Sequence, residues 1–266
     1  MAAITPEGAR LLSERRGRIL LLTISNPAAR NAMAPGLYRV ALAAFREAAD
    51  DAGIGAVVLA GEGEHFCGGG NLNRLLAQRD LPPAEQVAHL DALHDWVMAM
   101  RACPKPVIAA VEGAAAGGGF SICLGCDLIV AAEDAKFVMS YVKIGLSPDG
   151  GGSDALSHAL PAQAALELLL DGAPVTSARL QSLGVVNRVV ARGRALAEAI
   201  GWAERLAQGP AAAQARIKQL VYAARGRAQR AQLDAERDAF VESLYHDECG
   251  EGIAAFLEKR APRFVR

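Results

Sequence analysis

Residues 105–132, "KPVIAAVEGAAAGGGFSICLGCDLIVAA", join two apolar runs through a corner that holds three consecutive glycines. The runs 105–113 and 127–132 have the length and composition of buried β-strands, and the glycines are predicted to start a helix. Glycine is found at a second strand-to-helix corner, residues 68–70, after the buried strand 55–61. This alternation of strand and helix predicts an α/β fold with largely buried strands.

The rest of the chain divides into two regions of different pattern. Residues 18–24 are predicted to form a strand, and residues 36–52 and 85–101 form amphipathic helices with apolar side chains at helical spacing. From about residue 192 the chain consists of Ala- and Arg-rich helical segments. We therefore predict a core over residues 1–191 and a helical C-terminal region over 192–266, which needs a partner surface for its apolar faces.

The charge balance argues against two classes of partner. The 266 residues include 28 Lys and Arg against 29 Asp and Glu, for a net charge of −1, which gives no electrostatic reason to expect nucleic acid or a membrane surface. The N-terminus lacks the pattern of a signal peptide, and the apolar run at residues 20–24 is too short to span a bilayer. We expect a cytoplasmic protein.

The five cysteines form no evident disulfide framework, which fits a reducing compartment. Cys123-x-x-Cys126 resembles half of a redox or zinc motif, but no second pair of ligands follows at suitable spacing. We interpret both cysteines as buried packing residues, and we expect no metal and no redox cofactor.

The common nucleotide and hydrolase motifs are absent from the sequence. It contains no G-x-G-x-x-G, no G-x-x-x-x-G-K-[ST] and no G-x-S-x-G, and no pair of histidines has zinc-helix spacing. Nucleotide hydrolysis, dinucleotide redox chemistry and serine-hydrolase chemistry therefore lose their usual support.

The glycines at both corners can instead present backbone N–H groups to a ligand. Gly118 lies at a helix start, where the first amides have no intrahelical partner, and Gly70 in "CGGGN" offers a second donor. Two such amides can form an oxyanion hole, in which each donor lowers a reaction barrier by roughly 2.7–4 kcal/mol. The alternative is that both clusters serve only close packing of strand on helix.

The chain resembles the enoyl-CoA hydratase/isomerase (crotonase) superfamily over nearly its whole length. The segments that carry the resemblance are "NPAARNAM" (26–33), "AVVLAGEGEHFCGGGNL" (56–72), the whole of 103–152, "GVVNRVV" (184–190) and "EGIAAFLEKRAPRF" (251–264). The resemblance implies a spiral of ββα turns with a helical C-terminal trimerisation region. It also implies acyl-CoA thioester substrates and a homo-oligomer, either a trimer or a dimer of trimers.

The resemblance further implies a set of site residues. Gly70 and Gly118 would donate to the thioester oxygen as its enolate forms. The residues expected to contact coenzyme A within the subunit are Ala29, Arg30, Cys67, Gly68, Asn71 and Leu72. Phe256 and Lys259 would reach the coenzyme A of a neighbouring subunit.

The sequence departs from the hydratases at two positions. Hydratases of this family use two glutamates, and those positions here hold Ser121 and Tyr141. Neither side chain is a carboxylate, so efficient hydration of a double bond is not expected. We predict that both residues shape the acyl pocket.

Asp149 is the carboxylate that remains, in "LSPDGGG". The segment "KFVMSYVKIGLSPDGGG" most resembles a branch of double-bond isomerases that includes the phenylacetate-pathway enzyme, which converts a ring epoxide into an oxepin. In that branch one aspartate at this position moves the proton, which is a task for a single acid–base group. The alternative role of Asp149 is to cap the helix that follows.

His94 leaves a second reaction open. It shares a helical face with Leu90 and Val97, so its ring can point inward, and the aryl-CoA dehalogenases of this superfamily pair a histidine from this helix with an aspartate in the loop. The alternative is a histidine at the rim of the site or in a core contact.

We therefore expect an isomerase that acts on a fatty or aromatic acyl-CoA through a thioester enolate. An enoyl-CoA hydratase and an Asp/His-dependent acyl-CoA hydrolase or dehalogenase are the enzymatic alternatives. A binding protein is the remaining alternative, because some members of this fold bind RNA.

Overall fold

The computed structural model of the chain describes residues 3–4 and 8–264. Its main sheet has seven strands in the order β1-β2-β3-β4-β5-β7-β10. These strands are β1 (Ala3–Ile4), β2 (Arg10–Arg16), β3 (Ile19–Ser25), β4 (Ala56–Gly61), β5 (Val107–Val111), β7 (Leu128–Ala132) and β10 (Arg188–Val190). The pairings from β3 through to β10 are parallel, and β2 is antiparallel to both β1 and β3.

A smaller sheet has three strands in the order β6-β8-β9, which are β6 (Ala114–Ala116), β8 (Lys136–Val138) and β9 (Val175–Thr176). The helices of the described chain are α1 (Pro35–Asp50), α2 (Leu72–Gln78), α3 (Pro83–Ala102), α4 (Gly118–Gly125), α5 (Gly152–Ala159), α6 (Ala162–Asp171), α7 (Ser177–Ser182), α8 (Ala195–Ala207), α9 (Ala211–Ala224), α10 (Gln229–Leu244) and α11 (Asp247–Leu257). Two 3₁₀ turns occupy Pro27–Ala29 and Ser140–Ile144.

Successive turns of chain repeat one pattern, which confirms the expected spiral of ββα units. β5 lies in the main sheet, β6 in the small sheet, and α4 follows; β7 and β8 repeat the step. An isolated bridge between Cys67 and Ala115 extends the pattern to the turn that begins with β4. Each strand-to-helix corner therefore falls beside the corner of the next turn.

The central strands were predictable because their composition is unambiguous. All five residues of β5 and five of the six in β4 are buried, as expected for parallel strands covered on both faces. Strand β2 could not be predicted, because it is polar along most of its length and its second half is exposed. Its hydrogen bonds with β3 hold it in the sheet, and its own sequence pattern does not indicate a strand.

Helix α8 begins just after the predicted boundary at residue 191 and packs on the core. Ala195, Ala199, Ala203 and Ala207 recur every four residues along α8, and all are buried against the main sheet. The small side chains allow the helix to approach the strands closely, so α8 covers one face of the sheet. The core of the same chain is thus the partner surface for α8, and the division at residue 191 stays a prediction.

Helix α9 is attached to the core by buried polar contacts. The ammonium group of Lys218 lies 2.7 Å from the Asp127 carboxylate, which also accepts a 2.8 Å hydrogen bond from the Tyr222 hydroxyl. Asp127 directly follows Cys126, the C-cap residue of α4. Helix α9 is thus held at the C-terminal end of α4, the helix that starts at the glycine triplet.

Candidate active site

The two glycine corners lie against one another. The amide of Cys67 donates to the carbonyl of Ala114 at 3.0 Å, and the Ala116 amide donates back to the Cys67 carbonyl at 2.9 Å. Gly69 has a positive φ of 92°, and a side chain there would reach within 2.6 Å of the Ala116 carbonyl oxygen and 3.3 Å of the Gly118 nitrogen. Only glycine fits this contact, which brings residues 68–70 and 117–119 together.

The glycines of the triplet are needed for different physical reasons. Gly117 has a φ of 50°, which other residues rarely adopt. A Cβ on Gly119 would lie 2.3 Å from the Cys67 carbonyl oxygen, so this glycine allows the helix to pack on the neighbouring corner. The packing role therefore applies to Gly119, whereas Gly117 supplies a backbone conformation.

Gly118 faces functional groups instead of backbone. The nearest atoms to a Cβ at this position would be Met33 Cε at 3.3 Å, Asp149 Oδ1 at 3.6 Å and the Tyr141 hydroxyl at 3.8 Å. Gly118 is the first residue of α4, so its N–H has no intrahelical acceptor. Within residues 8–264, neither this amide nor that of Gly70 donates a hydrogen bond to another protein group. Both remain available to a ligand.

Ser121, Tyr141 and Asp149 form one chain of hydrogen bonds. The Tyr141 hydroxyl donates to Asp149 Oδ1 at 2.5 Å, and Ser121 Oγ lies 3.0 Å from the same hydroxyl. Tyr141 comes from the 3₁₀ turn after β8, Ser121 from the first turn of α4, and Asp149 from the loop before α5. The site thus joins the two positions that hydratases occupy with glutamate to the one carboxylate singled out in the sequence.

Asp149 does not cap the following helix through its side chain. The N-cap residue of α5 is Gly151, and no side chain donates or accepts a capping hydrogen bond there. The Asp149 carboxylate instead accepts from Tyr141, and its backbone carbonyl accepts from Gly152. The capping alternative is therefore wrong, because the loop turns the side chain toward Tyr141.

Ser121 does not line an acyl pocket as predicted. Its side chain is 1% exposed, and it is enclosed by the glycines of the next loop. A Cβ on Gly152 would lie 2.6 Å from Ser121 Oγ, and one on Gly150 would lie 3.2 Å from Ser121 Cβ. Gly150 and Gly152 thus leave room for Ser121, which contacts the Tyr141 hydroxyl.

Tyr141 is buried, and burial raises the pKa of its hydroxyl, with a further increase from the negative charge of Asp149. The phenol therefore stays protonated at physiological pH. It acts as a permanent hydrogen-bond donor to the carboxylate.

The inward orientation allowed for His94 is wrong. The inward side chains of α3 are Leu93, Trp96, Val97 and Met100, whereas His94 is exposed. His94 follows Leu93 by one residue, which rotates it about 100° around the helix and out of the buried face. Within residues 8–264 its ring makes no hydrogen bond or ion pair with Asp149.

The residues expected to contact coenzyme A within the subunit, apart from Cys67, lie next to the Gly70 corner in sequence or are joined to it by a hydrogen bond. Ala29 and Arg30 meet Gly68, whose amide donates to the Arg30 carbonyl at 2.8 Å, and Leu72 is exposed nearby in sequence. Asn71 caps α2 by accepting from the amide of Arg74. Ala29 and Arg30 are thus joined to the Gly70 corner through Gly68, and Asn71 and Leu72 follow Gly70 in sequence.

The Cys67 side chain does not reach this surface. It is fully buried, and burial raises the pKa of its thiol to about 12, so it is neither exposed to ligand nor ionised. Only its backbone can contribute. Cys123 and Cys126 are buried free thiols, which confirms their interpretation as packing residues.

A cavity of about 370 Å³ adjoins the Gly70 corner, and its lining residues are Asn26, Ala32, Met33, Ala34, Asn71, Asn73 and Arg74. Two nitrogens of Arg74, Nε and Nη1, are buried and have no hydrogen-bond partner among the described residues. Arg74 and Met33 could not be predicted as site residues, because no local motif marks either one. A second cavity, of about 470 Å³, contains none of the predicted site residues.

Phe256 and Lys259 lie at the far end of the chain. Phe256 is 83% exposed on α11, and Lys259 is exposed just beyond that helix with a φ of 56°. Neither is held in this subunit's site by a contact in the described chain. Their expected contact with a neighbouring subunit stays a prediction.

Comparison with known proteins places the chain in one family. A family profile described as "Enoyl-CoA hydratase/isomerase" matches residues 14–266. The chain belongs to the enoyl-CoA hydratase/isomerase family, and this membership implies an acyl-CoA substrate.

The chain is similar in sequence to the enoyl-CoA hydratase EchA19 of Mycobacterium tuberculosis, with 35% identity over 98% of both chains. It is 34% identical to 2,3-dehydroadipyl-CoA hydratase of Escherichia coli, over 96% of this chain and 98% of that protein. A crystal structure of an enoyl-CoA hydratase from a Polaromonas species superposes with a TM-score of 0.94, at 49% identity over 95% of this chain and 98% of that one.

Among the described residues, no helix combines the length and the apolar character needed to cross a membrane.

Proposed function

We propose that this protein is an enoyl-CoA isomerase that moves a double bond within the acyl group of an acyl-CoA. The observation that carries the proposal is the placement of Asp149: its Oδ1 lies 3.6 Å from where a Cβ on Gly118 would be, and the Gly118 amide has no hydrogen-bond acceptor within residues 8–264. A carboxylate beside a free helix-start amide can remove a proton from carbon while the amide holds the developing oxyanion.

The reaction needs one acid–base group and no water. With a 3-enoyl-CoA, Asp149 takes the proton from C2, and the electron pair delocalises through C3 and C4 and onto the thioester oxygen. The amides of Gly70 and Gly118 donate to that oxygen. Asp149 then returns the proton to C4, so the double bond moves from C3–C4 to C2–C3. Opening of a ring epoxide to an oxepin is the second reaction proposed for this branch.

Coenzyme A is proposed to follow the surface formed by Ala29, Arg30 and Gly68. Arg74 is a candidate donor to one of its phosphates, because two buried nitrogens of its guanidinium have no hydrogen-bond partner in the part of the chain that the structure describes. The exposed Phe256 and Lys259 are proposed to complete the binding site of a neighbouring copy in a trimer or a dimer of trimers.

Hydration of a 2-enoyl-CoA is the second candidate, because the relatives named above are hydratases. The absence of carboxylates at Ser121 and Tyr141 argues against it. The exposed position of His94 weakens the third candidate, an Asp/His-dependent hydrolase.

The test uses a 3-enoyl-CoA in water enriched in oxygen-18, with products identified by mass spectrometry. We expect a 2-enoyl-CoA without incorporated oxygen-18, and a loss of roughly 10²- to 10⁴-fold in kcat for Asp149→Asn. A labelled 3-hydroxyacyl-CoA formed directly from a 2-enoyl-CoA would indicate a hydratase. Isomerisation that persists in Asp149→Asn would refute the role given to that residue.

A further inference from the structure

Asp149 has two carboxylate oxygens, and the structure treats them differently. Oδ1 accepts the hydrogen bond from Tyr141. Within residues 8–264 no group donates to Oδ2. A carboxylate held by one oxygen presents the other in a defined direction, which is what proton transfer to and from carbon requires.

The direction of the hydrogen-bond chain follows from proton counting. An ionised carboxylate can only accept, so the single hydroxyl hydrogen of Tyr141 points at Asp149. The oxygen of Tyr141 must then accept from Ser121, whose own hydroxyl is the donor across the 3.0 Å contact. The chain therefore runs from Ser121 through Tyr141 to Asp149.

Burial removes water as a competing partner along this chain. Ser121 is 1% exposed and Tyr141 is 8% exposed, and the glycine loop 150–152 encloses Ser121. Ser121 thus has no solvent-exposed rotamer to adopt, and its hydroxyl is committed to Tyr141. The raised pKa of Tyr141 keeps the phenol protonated, and so a donor, at physiological pH.

We propose that Tyr141 is a positioning residue for Asp149, and that Ser121 orients Tyr141 from behind. The phenol holds Oδ1 and thereby fixes the orientation of the whole carboxylate beside Gly118, where the proton is exchanged with the substrate. This inference rests on the proposed function for its kinetic consequences, because it assigns Asp149 the proton transfer.

The kinetic test compares Tyr141→Phe, Ser121→Ala and the double variant. Tyr141→Phe keeps the ring and removes the donor, so kcat for isomerisation should fall about ten- to a hundredfold while KM stays within about twofold, since a hydrogen bond to a charged group is lost. Ser121→Ala should lower kcat by about two- to tenfold. In the Tyr141→Phe background it should have no further effect, because the two residues act in one chain.

Tyr222→Phe is the matched control. Tyr222 is a second tyrosine that donates to an aspartate, Asp127, at 2.8 Å, and burial likewise raises the pKa of its hydroxyl. Tyr222→Phe should leave kcat within about twofold of wild type, because a hydrogen bond lost outside the site does not act on Asp149. An equal loss of kcat in both variants would mean that general destabilisation explains the effect, and the proposal would fall.

A crystal structure of Tyr141→Phe separates this inference from the proposed function. We expect the Asp149 carboxylate to leave its present rotamer or to occupy more than one, whatever reaction the enzyme catalyses. An unchanged Asp149 in that structure, or an unchanged kcat in an enzyme that Asp149→Asn inactivates, would overturn the positioning role. Failure of the wild type to isomerise a 3-enoyl-CoA would refute the proposed function. The crystal structure of Tyr141→Phe would then decide the positioning role of Tyr141 by itself.

Discussion

A methyl group would have opposite consequences on two adjacent residues, Gly118 and Gly119. On Gly118 it would point toward Met33, Asp149 and Tyr141 at 3.3–3.8 Å, in the candidate site. On Gly119 it would collide with the Cys67 carbonyl oxygen at 2.3 Å, which is backbone and cannot move aside alone. One glycine thus keeps space for a ligand, and the other keeps two corners together.

We therefore expect Gly118→Ala to fold and to lose activity, and Gly119→Ala to lose stability. Gly118→Ala should lower kcat/KM by at least tenfold with a change of less than about 1 kcal/mol in the free energy of unfolding, whereas overpacking in Gly119→Ala should cost about 1–3 kcal/mol. Denaturant unfolding and isomerase assays on both variants measure the two effects. Equal stability losses in the pair would contradict the geometry of the corner.

At the scale of elements, helix α9 depends on a buried ion pair. The side chains of Lys218 and Asp127 are 10% and 16% exposed, and the Lys218 ammonium also donates to the carbonyls of Met100 and Lys105. Burial raises the pKa of Asp127, and Lys218 opposes that increase. The attachment of α9 therefore includes the Asp127 carboxylate, a buried charge that is destabilising without its counter-charge.

Lys218→Ala should destabilise the protein by about 3–5 kcal/mol near neutral pH, because it leaves a buried carboxylate without its counter-charge. A raised pKa means that the folded state holds the Asp127 proton more tightly than the unfolded state does, so the stability from protonation is present at low pH and is lost as pH rises through that pKa. The loss in Lys218→Ala should accordingly shrink as pH falls.

Urea unfolding at several pH values measures this dependence. The control is Arg230→Ala, which breaks an exposed ion pair with Asp234 on α10 and should cost less than about 1 kcal/mol. A loss in Lys218→Ala that does not vary with pH would show that Asp127 is not the group responsible.

At the scale of the whole molecule, large apolar side chains are exposed on the C-terminal helices. Phe240, Tyr245, Phe256 and Leu257 are each between 68% and 84% exposed, on or directly beside α10 and α11. Isolated apolar residues on a surface are ordinary, but a cluster of large ones in one region is typical of an interface. The predicted trimer or dimer of trimers would cover such a region.

Sedimentation over a range of concentrations should therefore show a trimer or a hexamer. Phe256→Asp should shift the distribution toward smaller species, because burying a phenylalanine contributes about 1.5–3 kcal/mol per site. A wild-type protein that sediments as a monomer at all concentrations would refute the predicted assembly.

The sequence predicted those parts of the fold that short segments encode by themselves. β4 and β5 are apolar throughout, and α1 and α3 were predicted at 36–52 and 85–101 against the observed Pro35–Asp50 and Pro83–Ala102. The place of α8 on the sheet could not be predicted, because its alanines fit equally well against the core or another subunit. Local pattern indicates an apolar face and does not indicate which surface covers it.

The candidate site shows the same division. The bare amides of Gly70 and Gly118 and the lone carboxylate of Asp149 were recognisable along the chain, because each is marked by its own residue type and neighbours. Only the tertiary structure decided that Asp149 meets Tyr141 and Ser121, and that His94 turns away. Those contacts join the start of a helix, a 3₁₀ turn and a loop, and hydrogen bonds between separate elements depend on how the elements pack rather than on their sequence spacing.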